Sequence, residues 1–260
     1  MDQISEEEWA SDPANRIDTS YVKKILSCYD ESGLEMMLKF SDESGDFGVP
    51  VQLDAVTIGR KMNENYLKTL YALGFTEATR IECEKEIQFW PEWTAGILSE
   101  FMNQTERYDL VVMGNRSADE ENGKVPFLLA EELGWPCISQ VVEIIPEDEA
   151  HVKVRYEVDN GYCTSVVQLP CILSIGDVPC SFLRVPTLKD RMQKGKKEIH
   201  RVKIEDLGIS ETFEGLQPDL SLVNLEVIDQ SRPGVILDGM NAEEKAEKLY
   251  QTYLKGRVEL

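Results

Sequence analysis

Between Val51 and Ile145 the hydrophobic period switches repeatedly between the two-residue repeat of a strand and the 3.6-residue repeat of a helix, and this switching constrains the fold most. Val51 to Ile58 is β-rich and stops at Gly59. Leu67, Leu70, Tyr71 and Leu73 then recur at helical spacing, and Gly74 ends that helix where glycine tolerates the left-handed cap best. Ala78 to Cys83 reads as a short strand, and Pro91 to Arg107 as a helix with Trp93, Ile97, Leu98 and Phe101 on its core face. Asp109 to Met113 is a compact apolar run of the kind a buried parallel strand makes, closed by Gly114. A polar loop, Asn115 to Lys124, precedes a helix marked by Leu128, Leu129 and Leu133 and ended by Gly134, and Ile138 to Ile145 returns to strand. Strands alternating with helices predict an α/β fold with a doubly wound, mostly parallel, Rossmann-like sheet.

Beyond Pro146 the grammar changes. Val152, Val154, Tyr156 and Val158 alternate with polar residues, and Asp159-Asn160-Gly161 supplies the turn of an antiparallel hairpin over 152–169. Cys171 to Ile175 is another apolar strand. Asp177 to Lys197 reads as loop with a basic cluster, Lys194, Lys196 and Lys197, which is either a solvated surface run or a docking or anion site. Near the end, Asn241 caps a helix with Glu244 three residues on. Its stripe of Ala242, Ala246, Leu249, Tyr250, Tyr253 and Leu254 must bury against its own domain or against a partner, and periodicity leaves both open.

Charge narrows the function. With 27 Lys and Arg against 48 Asp and Glu the chain carries −21, which repels a phosphodiester backbone and an anionic membrane. Nucleic acid is a poor partner, and no apolar run approaches the length of a membrane span. The acidic opening reads as neither a secretory signal nor a mitochondrial presequence, so a cytoplasmic location is expected. Six cysteines without a C-x-x-C pair read as buried thiols, and two histidines argue against a triad or zinc site.

Six segments, in order, resemble the electron-transfer flavoprotein beta-subunit family from about Tyr21 onward: Cys28-Tyr29-Asp30 leading to Leu34 to Leu38; Val56 to Gly59; Asp109 to Gly114 with its loop and the helix Phe127 to Gly134; the hairpin followed by Leu169-Pro170; Leu183 to Leu188 running into the lysine cluster; and the Gly239 turn with the terminal helix. The resemblance implies an adenine nucleotide hydrolase-like α/β domain over 21–205, with a recognition loop at 180–197 and a C-terminal arm over 206–260 that contacts an alpha subunit. It implies a pocket for AMP, or a second FAD in bifurcating members, lined by Ala55, Thr57, Gly59, Ser117, Asp119, Asn122, Gly123, Lys124 and Val125. It also implies a shared FAD held mainly by the alpha subunit, with Tyr29 covering one face or serving as plain core. Leu188 corresponds to the leucine that family members insert into a client flavin-dependent (acyl-CoA-type) dehydrogenase; here it either does so or covers its own loop. The implied role is electron transport by a heterodimer in which this chain uses no side chain as acid, base or nucleophile.

The chain departs from the family in three places. Ser27-Cys28 stands where Asn-Pro is usual, and Lys124-Val125-Pro126-Phe127 stands for Gln-Val-Gly-Pro, which substitutes a proline without an N–H for a permissive glycine. Residues 1–20 are acidic and polar where the family begins with a buried strand, which suggests that Met1 is an internal or misassigned start. These departures favour, as an alternative, a scaffolding or regulatory homologue that has lost nucleotide binding. A third reading, an adenine-nucleotide hydrolase-type enzyme on the same fold, lacks the glycine-rich phosphate loop that such chemistry needs.

Overall fold

The computed structural model describes residues 2–3, 23–85, 87, 89–105, 108–117, 121–178, 182–209 and 234–258. It falls into two compact units, Met1–Val223 and Asn224–Leu260. In the first, β1 (Asp2–Gln3) pairs antiparallel with β2 (Lys23–Lys24), and then come α1 (Cys28–Ser44), β3 (Asp54–Gly59), α2 (Glu64–Leu73), β4 (Glu77–Glu82), α3 (Pro91–Thr105), β5 (Leu110–Gly114) and α4 (Val125–Leu133). β6 (Cys137–Pro146), β7 (His151–Val158), β8 (Gly161–Gln168), β9 (Cys171–Ile175), α5 (Leu188–Gln193) and β10 (His200–Lys203) follow.

The strands form two main sheets rather than one. β10, β4 and β3 make a three-stranded, all-parallel sheet in that order. β5, β9, β6, β7 and β8 make a mixed sheet in which β5, β9 and β6 run parallel and the β6–β7–β8 meander is antiparallel. The α/β class with parallel strands and an antiparallel hairpin is as expected, whereas the division into two sheets is not visible in the sequence. β9 occupies the centre of the larger sheet, and all five of its residues are buried, which is what a continuous apolar run is for.

Helices cover both main sheets. Trp93, Ile97 and Phe101 of α3 and Leu129 of α4 share one core cluster with Ile81 and Ile172, against which Val56, Ile58, Val111 and Met113 also pack. α1 serves two further clusters: Met36 and Phe40 pack with Val141, Leu173 and Ile175, while Leu38 packs with Leu53, Ala55, Leu67 and Leu70. Each fully buried side chain of this kind contributes about 1.5–3 kcal/mol. Gly33 permits the close seating of α1, since a Cβ there would already touch Ile175 and Val112 at 3.4 Å.

Two elements differ from the sequence reading. The stretch assigned to loop after Asp177 contains α5, capped by Thr187, whose hydroxyl accepts the Asp190 N–H, and His200–Lys203 joins β4 as a parallel strand. Of the cysteines, Cys83 and Cys171 are buried but Cys28 and Cys163 are exposed, because the hairpin beyond Val154 and the first turn of α1 stand at the surface. Burial pushes the Cys137 and Cys171 thiols up to about 11. Of residues 1–20, only Asp2–Gln3 is within the described residues, and Cys180 and most of 206–233 lie outside them.

In the second unit α6 (Ala242–Leu249) continues through a wider turn at Tyr250–Leu254 into Lys255–Val258. Asn241 accepts the Glu244 N–H at 2.8 Å and Glu244 returns a contact from the Met240 N–H at 2.8 Å, so the cap read from the sequence is built. Leu249, Tyr250, Tyr253 and Leu254 are all exposed. Among the described residues no helix is long and apolar enough to cross a membrane.

Candidate functional site

The candidate site forms where β5 ends. Gly114 is approached so closely by α1 that a Cβ would lie 2.8 Å from both Asp30 Oδ1 and Tyr29 Cβ, and the Gly114 N–H donates to Asp30 Oδ1 at 3.0 Å. The first turn of α1 and the carboxyl end of β5 are thereby stitched together. Ser27, the residue before α1, makes no side-chain cap, and its Oγ is buried without a hydrogen-bond partner. A 17-residue helix thus begins at this point with its dipole and first-turn N–H groups uncapped by that side chain.

The loop that follows is organised from below and charged above. Asn115 is buried, its N–H donates to Ile175 O at 2.9 Å and its Oδ1 accepts from Ser174 Oγ at 3.1 Å. Gly123 has a φ of 62°, and a Cβ on it would lie 3.1 Å from Asn115 O. The Lys124 N–H donates to Asn122 Oδ1 at 3.0 Å, a local turn before α4. Arg116 lies over the Tyr29 ring, 5.8 Å from its centroid, and 3.8 Å from Glu121, while Lys124 sits 3.9 Å from Glu92.

Tyr29, Ser117, Asn122, Gly123, Lys124 and Val125 therefore belong to one neighbourhood at β5 and the start of α4. Asp119 lies outside the described residues. Ala55, Thr57 and Gly59 are on β3, in the other sheet; Ala55 is buried in the core and Gly59 closes the strand. Leu188 is remote from all of them in sequence, at the first position of α5 and 75% exposed.

At the carboxyl end of the three-stranded sheet a different arrangement appears. Arg80 Nε donates to Glu64 Oε1 at 3.0 Å, its Nη1 to Gly59 O at 3.1 Å and its Nη2 to Glu82 Oε1 at 2.5 Å, while Arg201 Nε reaches Glu64 Oε1 at 2.9 Å. The Arg201 hydrogen bond foremost, with Arg80 adding to it against the cost of burial, holds the Glu64 carboxyl down at about 2.

Sequence reading missed Ser27 and Asp30 as site residues. Both lie in the segment compared with the family, Ser27 before the helix and Asp30 in its first turn, but the Asp30–Gly114 contact spans 84 residues and leaves no periodic pattern.

Parallel strands covered by helices, with a helix amino terminus meeting a glycine at a strand's carboxyl end, make this an α/β protein of Rossmann-like class. The Electron transfer flavoprotein domain model matches residues 15–207. The chain belongs to the electron transfer flavoprotein family. A relative from Escherichia coli (strain K12), named provisionally as electron transfer flavoprotein subunit YgcR, is 31% identical over 98% of this chain and 94% of its own length. The electron transfer flavoprotein subunit beta of Bacillus subtilis (strain 168) is 28% identical over 86% of this chain and 83% of its own, and that of Bos taurus is 24% identical over 84% and 81%.

Proposed function

We propose that the chain is the beta subunit of a heterodimeric electron transfer flavoprotein, a cytoplasmic carrier rather than an enzyme in its own right, pairing with an alpha subunit and receiving electrons from a flavin-dependent dehydrogenase. The observation that carries the nucleotide part is the unpartnered, buried Ser27 Oγ at the start of α1, beside the glycine where α1 and β5 meet. An orphaned polar atom at a helix amino terminus fits a phosphate-bearing ligand, because the N–H groups and the dipole both favour negative charge. The adenine nucleotide, AMP or a second FAD, would lie along α1's first turn and the loop from Asn115 to Lys124. Arg116 and Lys124 supply positive charge there, Ser117 and Asn122 polar contacts, and Gly114 and Gly123 close backbone approach.

A flavin, when bound, supplies the one- and two-electron chemistry, and this chain's residues bind and shield. Tyr29, half-buried under Arg116, is the aromatic face offered to the shared cofactor. The exposed stripe of α6 is the surface offered to the alpha subunit. Leu188, standing free on α5, is the contact offered to the dehydrogenase.

A second reading, a scaffold that keeps the heterodimer surface without nucleotide, is favoured by Pro126 in α4's first turn, by the Lys124 N–H already satisfied by Asn122, and by Asp30 and Glu121 beside the loop. Co-expression with an alpha-type subunit separates the two. The expected product is a stable yellow heterodimer that releases AMP, or more than one FAD, on heating. A yellow heterodimer releasing one FAD and nothing else supports the scaffold. Failure to pair with any alpha-type chain, with this chain remaining colourless, refutes both.

A further inference from the structure

Between Phe182 and Gln193 four large apolar side chains stand in solvent: Phe182 is 77% exposed, Val185 80%, Leu188 75% and Met192 59%. So much exposed apolar surface in one short segment tends to fold back on its own base, and a concentration of this kind marks an interaction surface. Two ties hold the segment out.

At its far end Lys197 donates to Thr76 O and lies 5.1 Å from the Tyr71 ring centroid, the Tyr71 hydroxyl donates to Glu198 O at 3.0 Å, and Ile199 is buried. At its near end everything converges on Arg184. The Arg184 backbone N–H donates to Glu35 Oε2 at 3.0 Å. Its Nε lies 3.1 Å from both Glu35 oxygens, and its Nη2 reaches Oε1 at 2.9 Å. Its Nη1 reaches Asp42 Oδ2 at 2.7 Å. Glu35 is only 6% exposed and sits on α1, the same helix whose first turn builds the nucleotide site, whereas Asp42 lies nearer the surface. A planar guanidinium that binds one buried carboxylate through two nitrogens and a second carboxylate through a third has its direction fixed, which an ammonium cannot achieve.

We infer that Arg184 is a positioning residue for partner docking: its fork on Glu35 and Asp42 sets the direction in which Val185 to Leu188 leave α1, so that the apolar side chains are presented already extended. The inference rests on the docking reading of Leu188 given above. A segment held in its bound conformation loses less freedom on association, so the latch acts on the encounter with the partner and leaves later electron transfer alone. Glu35 carries most of the effect because it is buried; Asp42 contributes steering.

The test uses the purified heterodimer and a flavin dehydrogenase selected for reducing the unaltered heterodimer. In Arg184→Gln, amide hydrogen exchange over 182–193 is expected to accelerate about tenfold while that of α1 beyond its Glu35 turn is unchanged. The KM of the dehydrogenase for the heterodimer is expected to rise by about tenfold at constant kcat and constant flavin content. Because Arg184→Gln strands the Glu35 charge, the double variant Arg184→Gln, Glu35→Gln is made alongside; it relieves that charge and is expected to keep the loosened segment and the raised KM. Leu188→Ala, the control for docking itself, is expected to raise KM without changing the exchange. Unaltered exchange in both Arg184 variants overturns the latch. Accelerated exchange with KM raised by Leu188→Ala alone overturns its role in presentation. An unmoved KM in every variant removes the docking reading, and the inference falls with it.

Discussion

The carboxyl ends of the two main sheets are finished in opposite ways. At β3 and β4 the charged groups answer one another: Glu64 takes Arg80 and Arg201, Arg80 also takes Glu82, and even the Gly59 carbonyl is consumed by Arg80 Nη1. At β5 the charged pairs, Arg116 with Glu121 and Lys124 with Glu92, are long and partly exposed, the close contacts are mainly backbone and neutral apart from Asp30 accepting the Gly114 N–H, and the Ser27 hydroxyl is left over. Paired buried charges make a closed joint, because nothing there gains by exchanging its partner for a ligand. A leftover buried hydroxyl beside an uncapped helix makes an open one. On the proposed function the first end serves stability and the second the ligand, and each assignment can be broken.

The largest effect is expected at the closed joint. Arg80→Met leaves Glu64 with Arg201 alone and strips the guanidinium from Glu82 and the Gly59 carbonyl, a change worth about 3 kcal/mol. Chemical denaturation of the heterodimer should show the loss, while the nucleotide bound per folded molecule stays constant. A variant of undiminished stability that has lost its nucleotide would reverse the assignment. Gly114→Ala comes next. Its Cβ must displace Asp30 or Tyr29 from 2.8 Å, an overpacking cost of about 1–3 kcal/mol, and it wedges α1's first turn from β5. Bound nucleotide, measured by heat release, should fall out of proportion to stability. If stability alone falls, the stitch is structural and the site lies elsewhere.

How much of this contrast is legible in the sequence follows from how far apart its partners lie. Strands such as Asp109 to Met113 and Cys171 to Ile175 are readable because burial on both faces demands an unbroken apolar run. Gly59 is readable as a strand end and Gly74 and Gly134 as helix stops, since a positive φ imposes glycine locally, whereas Gly114 closes an apolar run and is required by the approach of Tyr29 and Asp30. β10 is not readable: His200–Lys203 offers one apolar residue, Val202, and becomes a strand only through its ladder with Thr79 to Glu82. α5 did leave a signal, Thr187 followed three residues later by Asp190, which a search for helix caps would have caught. The Glu64–Arg201 and Glu35–Arg184 pairs join residues 137 and 149 positions apart, and no periodicity records such distances.

A pH titration tests the closed joint more gently. Glu64 ionises at about 2 in the folded chain against 4.5 ordinarily, so its contribution is fully present above about pH 4.5 and is lost as pH falls through about 2. Between pH 7 and 5 this group should therefore leave stability flat. Thermal midpoints of the native chain and of Glu64→Gln should converge on acidification across that lower window. A difference that instead closes between pH 7 and 5 would mean that Glu64 is not held as the two arginines imply.

The smallest effect belongs to the open end, and it is the most direct probe of what that end is for. Glu121 is an exposed acid with a φ of 52°, paired loosely with Arg116 at 3.8 Å. With Asp119 and Glu120 it makes three acids in sequence against Arg116 and Lys124, so its charge opposes the phosphate that the site is proposed to hold. Asn tolerates the left-handed region better than Glu and carries no charge. Glu121→Asn should accordingly leave stability within about 0.5 kcal/mol, since an exposed pair contributes little. It should also free Arg116 to face the ligand and tighten AMP binding to the heterodimer about threefold at low salt, an increment that added salt erases. Calorimetric titration at two ionic strengths decides the matter: tightening that salt abolishes places the phosphate beside this loop, and an unchanged or weaker affinity removes the loop from the site and leaves both sheet ends as structural joints.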